Sequence, residues 1–307
     1  MKNYLKLISD YFVYLLVRVF ICVIQSLRIE TCRIIAVFMA VLANDVFGLR
    51  RKLVDKNLHE SFPELSKAQR KNLTLKMWEH LFLLIAEVAH CPRVIRDSNW
   101  RKYIWLVNVN PLHDLLCKDR PLIVVTGHFG NFELGGYFLG LLGYPTFTVA
   151  RTLDNPFLDK FVKQFREGTG QFIIPKNDGY DQILEVLDKR DVMAFLADQS
   201  AGRKGCWVDF FSREASAYKA IALLSLQYNA PIAVCYAIRR DGIPMQFDMK
   251  VVGIYDPLDP IPGIENVKQI TQWYTSCLEN GIREHPDQYW WLHDRWKTFG
   301  RLNSNRE

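Results

Sequence analysis

The chain has 307 residues, 49% of them hydrophobic, enough to bury a large core, so one catalytic domain with an N-terminal appendage is expected. Its seven cysteines are odd in number, scattered and without a Cys-x-x-Cys pair, which argues against a disulfide framework and a zinc site and for reduced thiols facing the cytosol. The net charge of +6 suits contact with anionic lipid, phosphate or an acidic carrier protein, and no nucleic-acid partner is expected.

The N-terminus is the most apolar part. Tyr11 to Leu27 is broken by a single charge, Arg18, and Ile34 to Asn44 is a second apolar run. A spanning helix needs about 20 apolar residues, and a central arginine costs roughly 2.5–3.5 kcal/mol. Three arrangements follow: a marginal span, an interfacial helix with Arg18 snorkelling, or a helix docked on the catalytic part. No small-x-small cleavage site follows the run. The cluster Arg50-Arg51-Lys52 fits either a headgroup surface or a solvated turn. The expected division is a membrane-associated helical segment over 1–48 and a catalytic domain over 49–307.

Ser66 and Gln69 form a capping-box pair, and Leu73, Met77, Leu81, Leu84, Ile85 and Val88 recur at helical spacing, with Cys91-Pro92 as the stop. Glu79, His80 and Glu87 on that helix are read as partly buried polar groups. Residues 93–120 are read as a connection with one short helix. Leu122 to Thr126 is a β-branched run typical of a strand buried on both faces, and the helix after it starts with Asn131 as N-cap. Strands are then expected at 146–150, 172–174, 192–197, 231–238 and 246–254. Helices are expected at 155–168, 180–187, 216–228 and 266–284. This alternation predicts an α/β sandwich with a largely parallel central sheet.

Gly127-His128-Phe129-Gly130 stands where the first strand hands over to a helix, the usual place for chemistry in an open α/β sheet. On one continuous helix His128 and Glu133 would lie roughly 140° apart. With His128 in the loop and Glu133 in the first turn, the carboxylate is expected to hold one imidazole nitrogen and leave the other basic. A second His-x4-acid match, His59 to Glu64, has no flanking glycine and contains Pro63, and is read as structural. Arg151, Asp198 and Arg239 are expected beside His128 along one edge of the sheet. Arg151 and Arg166 suit an oxyanion or phosphate, and Arg203-Lys204 an anionic headgroup. There is no Gly-x-Ser-x-Gly elbow, P-loop, Gly-x-Gly-x-x-Gly or His-Glu-x-x-His, which disfavours a serine hydrolase, a nucleotide enzyme and a zinc protease.

Five stretches in order carry a resemblance: Gly127-His-Phe-Gly-Asn-Phe-Glu133, Ala150-Arg-Thr-Leu-Asp-Asn-Pro-Phe-Leu-Asp159, Asp198-Gln199, Val208-Asp-Phe-Phe211 and Pro286-Asp-Gln-Tyr-Trp-Trp-Leu-His-Asp-Arg-Trp-Lys-Thr298. Together they resemble the bacterial lipid A biosynthesis acyltransferase family, within the lysophospholipid acyltransferase superfamily, from about Arg50 to Thr298. The resemblance implies a glycerolipid-acyltransferase-like α/β fold with His128 as catalytic base and Glu133 as its paired carboxylate. It places Arg166 and Asp198 near the histidine, with Arg151 and Asn155 shaping the acceptor pocket. Asn131, Arg151, Asn155, Arg166, Asp198 and Arg203 are therefore expected to contact substrate, and no residue to bind metal. Ala215-Ser216-Ala217 and Ala220 depart from the family pattern after the Phe-Phe pair, which leaves the acceptor and acyl chain open.

The implied reaction is direct acyl transfer from an acyl carrier protein or coenzyme A thioester to a hydroxyl of a lipid A precursor or related glycolipid, without a cofactor. The implied place is the cytoplasmic face of a bacterial inner membrane. A glycerophospholipid acyltransferase, an acyl thioesterase and a non-catalytic lipid-binding protein are the competing readings.

Overall fold

The computed structural model describes residues 2–297; Thr298 and the rest of the expected catalytic domain after it lie outside the described residues. Helix α1 (Lys2–Ser26) is long and apolar enough over Tyr4–Ser26 to cross a membrane, and Leu5, Ile8, Phe12, Leu16 and Phe20 are exposed along it. Helix α2 (Ile29–Val41) continues as a π-helical turn, Leu42–Val46. Cys32, Ala36, Ala40 and Ala43 recur at three- and four-residue spacing and form its buried face. These small side chains let α2 lie along α4 (Lys67–Val94). A 95° bend leads into α3 (Arg51–Ser61), with Gly48 at φ +57 supplying the left-handed turn. Ala40 and Ala43 share a core with Val54, Leu58, Met77 and Phe129, so that core runs across residue 48.

The capping box at Ser66 and Gln69 forms, but Pro92 does not end α4, which runs on to Val94. The expected loop before the sheet holds an unforeseen strand, β1 (Ile104–Val107), and then α5 (Asn110–Leu116). The remaining order is β2 (Leu122–Thr126), α6 (Phe132–Leu141), β3 (Thr146–Ala150), α7 (Pro156–Glu167), β4 (Gln171–Pro175), α8 (Tyr180–Asp188) and β5 (Val192–Leu196). There follow β6 (Cys206–Asp209), β7 (Glu214–Ala217), α9 (Lys219–Tyr228), β8 (Ile232–Arg239), β9 (Phe247–Tyr255) and α10 (Val267–Glu284).

Seven strands make one sheet in the order β1-β9-β8-β2-β5-β3-β4, mixed α/β and mostly parallel. Within this sheet, among the described residues, only β8 and β9 pair antiparallel. The central strand β2 is buried by helices on both faces, which explains its unbroken apolar sequence. Strands β6 and β7 form a separate hairpin, and the end of β7 takes residues 216 and 217, so the helix expected at 216–228 starts at Lys219 instead. Ala215, Ser216 and Ala217 are small and buried there, so they show neither the alternation of an exposed strand nor a helical stripe.

Candidate active site

Strand register brings the key groups together. Thr126 pairs with Leu196 in the β2–β5 ladder, and the Ala197 N–H donates to the Thr126 carbonyl at 2.8 Å. His128 and Asp198 each lie two residues past that pair, so equal overhang sets them side by side. His128 Nδ1 is 2.9 Å from Asp198 Oδ1. Gly127 is what allows this approach, since a Cβ there would sit 3.0 Å from the Asp198 Cβ. Gly130, at φ +59, passes so close to β8 that a Cβ would meet the Ala237 carbonyl oxygen at 2.0 Å.

The imidazole Nε2 lies 3.3 Å from Gln199 Nε2. With Nδ1–H donating to Asp198, the Gln199 amide donates to Nε2, which is therefore the basic nitrogen. The rings of Phe132 and Trp290 flank the imidazole at centroid distances of 5.2 and 5.5 Å. The His128 side chain is 19% exposed and that of Asp198 only 2%, so the base reaches outward while its partner is sealed. Burial works against a charged imidazole. The Asp198 carboxylate, its hydrogen bond and the charge of Glu133 outweigh burial and hold His128 above its ordinary pKa. Asp198 in turn is pushed up by burial but brought below its ordinary value by His128 and Arg295.

This corrects the expected pairing. Asp198, expected to contact substrate, takes the Nδ1 position expected for Glu133. Glu133 turns instead to Arg166, which donates through Nε at 3.0 Å and through Nη2 to the other carboxylate oxygen. The reason is geometric: Glu133 starts a helix that leads away from the loop, whereas Asp198 extends the neighbouring strand. Arg166, expected near the histidine, has its fork occupied by Glu133.

The other residues expected to contact substrate lie as follows. Asn131 is wholly buried: its Oδ1 caps α6 through the Leu134 N–H, and its Nδ2 donates to Glu87. Asn155 caps α7 through Phe157 and Leu158 and ties Nδ2 to the Asp10 carbonyl of α1 at 2.8 Å. Arg151 is exposed and paired with Asp154 three residues on. Arg203 is exposed on the loop between Gln199 and β6, with no polar partner among the described residues. A groove of about 490 Å³ lies between Leu153, Asp154 and the Lys160–Lys163 face of α7. No group of three His, Cys, Asp or Glu among the described residues converges as metal ligands would.

Beneath the loop lies a buried ionic network. Arg239, at the end of β8, donates Nε and Nη2 to the two oxygens of Glu87 at 2.7 and 2.6 Å. Its Nη1 lies 2.8 Å from His80 Nδ1, and His80 Nε2 lies 3.2 Å from the Gly130 carbonyl. His80 therefore accepts at Nδ1 and donates at Nε2. Burial and the Arg239 charge keep it neutral, well below the ordinary histidine value. His80 and Glu87 are seven apart, two turns of α4, hence on one face. Arg239, expected on the cleft edge, holds up the loop from below instead.

The aromatic tail closes the site, although no roles were read from its sequence. The Trp290 N–H donates to the His128 carbonyl at 3.0 Å, and the Gly130 N–H to the Gln288 carbonyl at 2.9 Å. The Ser200 N–H donates to His293 Nε2 at 3.2 Å. Tyr289 engages Asp198 with its hydroxyl, and burial together with that carboxylate keeps the phenol protonated. The position of Asp198-Gln199 at a strand end, level with His128, was the signal available for the true partner.

Residues 2–298 match the family model for bacterial lipid A biosynthesis acyltransferases. The chain is 25% identical over 252 residues to the lipid A biosynthesis lauroyltransferase of Escherichia coli (strain K12), covering 81% of this chain and 79% of the relative. It is 26% identical over 263 residues to the lipid A biosynthesis palmitoleoyltransferase of the same organism, covering 85% and 83%. A phosphatidylinositol mannoside acyltransferase of Mycolicibacterium smegmatis is 24% identical over 196 residues, 62% of each chain. Among solved structures, the 1-acyl-sn-glycerophosphate acyltransferase of Thermotoga maritima aligns over 89% of this chain and 99% of its own at 13% identity and a TM-score of 0.41.

Proposed function

This chain belongs to the bacterial lipid A biosynthesis acyltransferase family and is an acyltransferase with a lipid acceptor, and from that premise we propose that His128 is the general base and Asp198 its orienting partner. The donor is an acyl thioester of acyl carrier protein or coenzyme A. The acceptor is a hydroxyl of a lipid A precursor or related glycolipid. The observation that carries the reading is the His128–Asp198 hydrogen bond, which leaves Nε2 as the basic nitrogen beside Gln199, with Phe132 and Trp290 flanking the ring.

In the reaction, the acceptor hydroxyl replaces the Gln199 amide at Nε2. Its O–H bond breaks toward the imidazole as the oxygen attacks the thioester carbonyl. Asp198 and, at longer range, Glu133 stabilise the imidazolium. The tetrahedral oxyanion then collapses, the C–S bond breaks, and the leaving thiolate takes the proton back from His128. The N–H groups of Phe129, Gly130 and Asn131 are already bonded to Gly127, Gln288 and Ala237 carbonyls. The oxyanion role therefore falls to the first N–H groups of α6, where the helix dipole favours negative charge. No cofactor is needed.

The protein is membrane-associated. The N-terminal helical segment over 1–48 provides the attachment, with the 49–307 domain on the cytoplasmic side, where a thioester donor is available. Protease protection in spheroplasts against inverted vesicles tests that orientation. For the chemistry, His128→Ala should cut turnover of acyl-carrier-protein thioester with a glycolipid acceptor at least about 10²-fold. Full activity in a folded His128→Ala protein would overturn the reading. Mass spectrometry of lipids from a deletion strain should show one missing acyl group; an unchanged lipid profile would remove the proposed acceptor class.

A further inference from the structure

In the resting protein the nitrogen proposed to take the proton is already hydrogen-bonded, by a side chain of its own chain. Gln199 Nε2 lies 3.3 Å from His128 Nε2. Because the Asp198 carboxylate accepts from Nδ1–H, a neutral imidazole carries its lone pair at Nε2, and the N–H of the Gln199 amide is the group that answers it. The rings of Phe132 and Trp290 stand on the flanks of the imidazole.

The backbone on either side of Gln199 is held. Asp198 before it is buried and bonded to the ring. After it, the Ser200 N–H donates to His293 Nε2 at 3.2 Å and the Ala201 N–H to the Ser216 carbonyl at 3.1 Å. The Ser216 hydroxyl donates in turn to the Gly202 carbonyl, and Gly205 packs so closely that a Cβ there would meet Ser216 Oγ at 2.0 Å. The half-buried Gln199 side chain can therefore leave Nε2 by rotating about its own bonds, with no movement of the loop.

We propose that Gln199 is a specificity-determining residue: its amide caps the base against water and gives way to an acceptor held by the rest of its structure. This rests on the reading of His128 as base. Water and the acceptor hydroxyl are activated alike at Nε2. In hydrolysis a water O–H bond breaks toward the imidazole and the oxygen bonds to the thioester carbonyl carbon. The C–S bond then breaks and the leaving thiolate takes the proton, giving a free fatty acid and a thiol. The two reactions differ in what expels the amide. A lipid acceptor supplies that free energy from contacts remote from its hydroxyl, and a single water has no such contacts. The cap thus reserves the acyl group for transfer.

The test measures hydrolysis and transfer separately in the full-length protein in detergent micelles. The donors are radiolabelled lauroyl, myristoyl and palmitoyl thioesters of acyl carrier protein. Free fatty acid is counted without acceptor, and label in lipid is counted with the lipid extract of the deletion strain. Gln199→Ala should raise the ratio of hydrolysis to transfer at least about fivefold, the size expected for losing one neutral hydrogen bond. Gln199→Asn, whose amide is one methylene too short to reach Nε2, should raise it as well, and it serves if Gln199→Ala does not fold. Adding His128→Gln to either variant should return fatty acid release to background. An unchanged ratio in both variants, or release that persists without His128, would overturn the proposal. Failure of the base reading shows elsewhere, as full transfer by the single His128→Gln variant.

Discussion

At the residue proposed to carry the proton, two carboxylates act at different ranges. Asp198 touches Nδ1 and Glu133 adds charge from its pair with Arg166, and together they hold the imidazole above its ordinary value. A base with a raised pKa is protonated, and therefore idle, over more of the acid range. Activity should fall as pH drops through that raised value. Asp198→Asn removes the nearer carboxylate, so the midpoint falls and the acid limb of the kcat/KM profile moves to lower pH. Turnover on the plateau should drop by about 10²-fold or more, because the amide no longer enforces the tautomer. Glu133→Gln is expected to move the limb less than Asp198→Asn, having no bond to the ring. A larger shift in Glu133→Gln than in Asp198→Asn would reverse this assignment.

At the level of elements, the site depends on how one glycine-hinged loop is held between β2, β8 and α4. Gly130 has φ +59 and no room for a methyl group against the Ala237 carbonyl. Gly130→Ala should therefore destabilise the protein by about 2 kcal/mol or more and lower activity, measured as a fall in the thermal midpoint alongside kcat. From below, Arg239, Glu87 and His80 clamp the same loop. Truncating Glu87 or Arg239 strands a buried charge. Glu87→Ala should cost about 3–5 kcal/mol in denaturant unfolding, and a cost under about 1 kcal/mol would show the network to be dispensable. His80 and Glu87 could be placed on one helix face from their spacing. Their shared partner Arg239 could not, because 152 residues of chain separate it from Glu87.

For the whole molecule, the question is how an apolar N-terminus meets a catalytic edge. Helix α1 is seated on α7 along one face: Tyr11 meets Phe157, Tyr14 meets Phe161, and Arg18 lies over the Phe161 ring at 4.9 Å while donating to the Tyr14 hydroxyl at 2.9 Å. The lone charge of the run is thus placed on an aromatic face rather than left to snorkel. Phe12, Leu16 and Phe20, at four-residue spacing, stay exposed. Phe12→Glu/Phe20→Glu should lower co-sedimentation with phosphatidylethanolamine–phosphatidylglycerol vesicles by on the order of ten-fold or more without touching the docked face. Unchanged co-sedimentation would move the attachment elsewhere.

The sequence by itself determined the α/β alternation, the buried central strand, the glycine-hinged His128 and the caps at Ser66, Asn131 and Asn155, because those signals are local: side-chain period, turn conformation and the first orphan N–H groups of a helix. Only the tertiary structure decided that Asp198 rather than Glu133 bonds the His128 ring, and that Asn131 and Arg239 both turn to Glu87. Those choices depend on strand register and on contacts across 44 to 152 residues of chain, and no spacing rule along one segment carries that information.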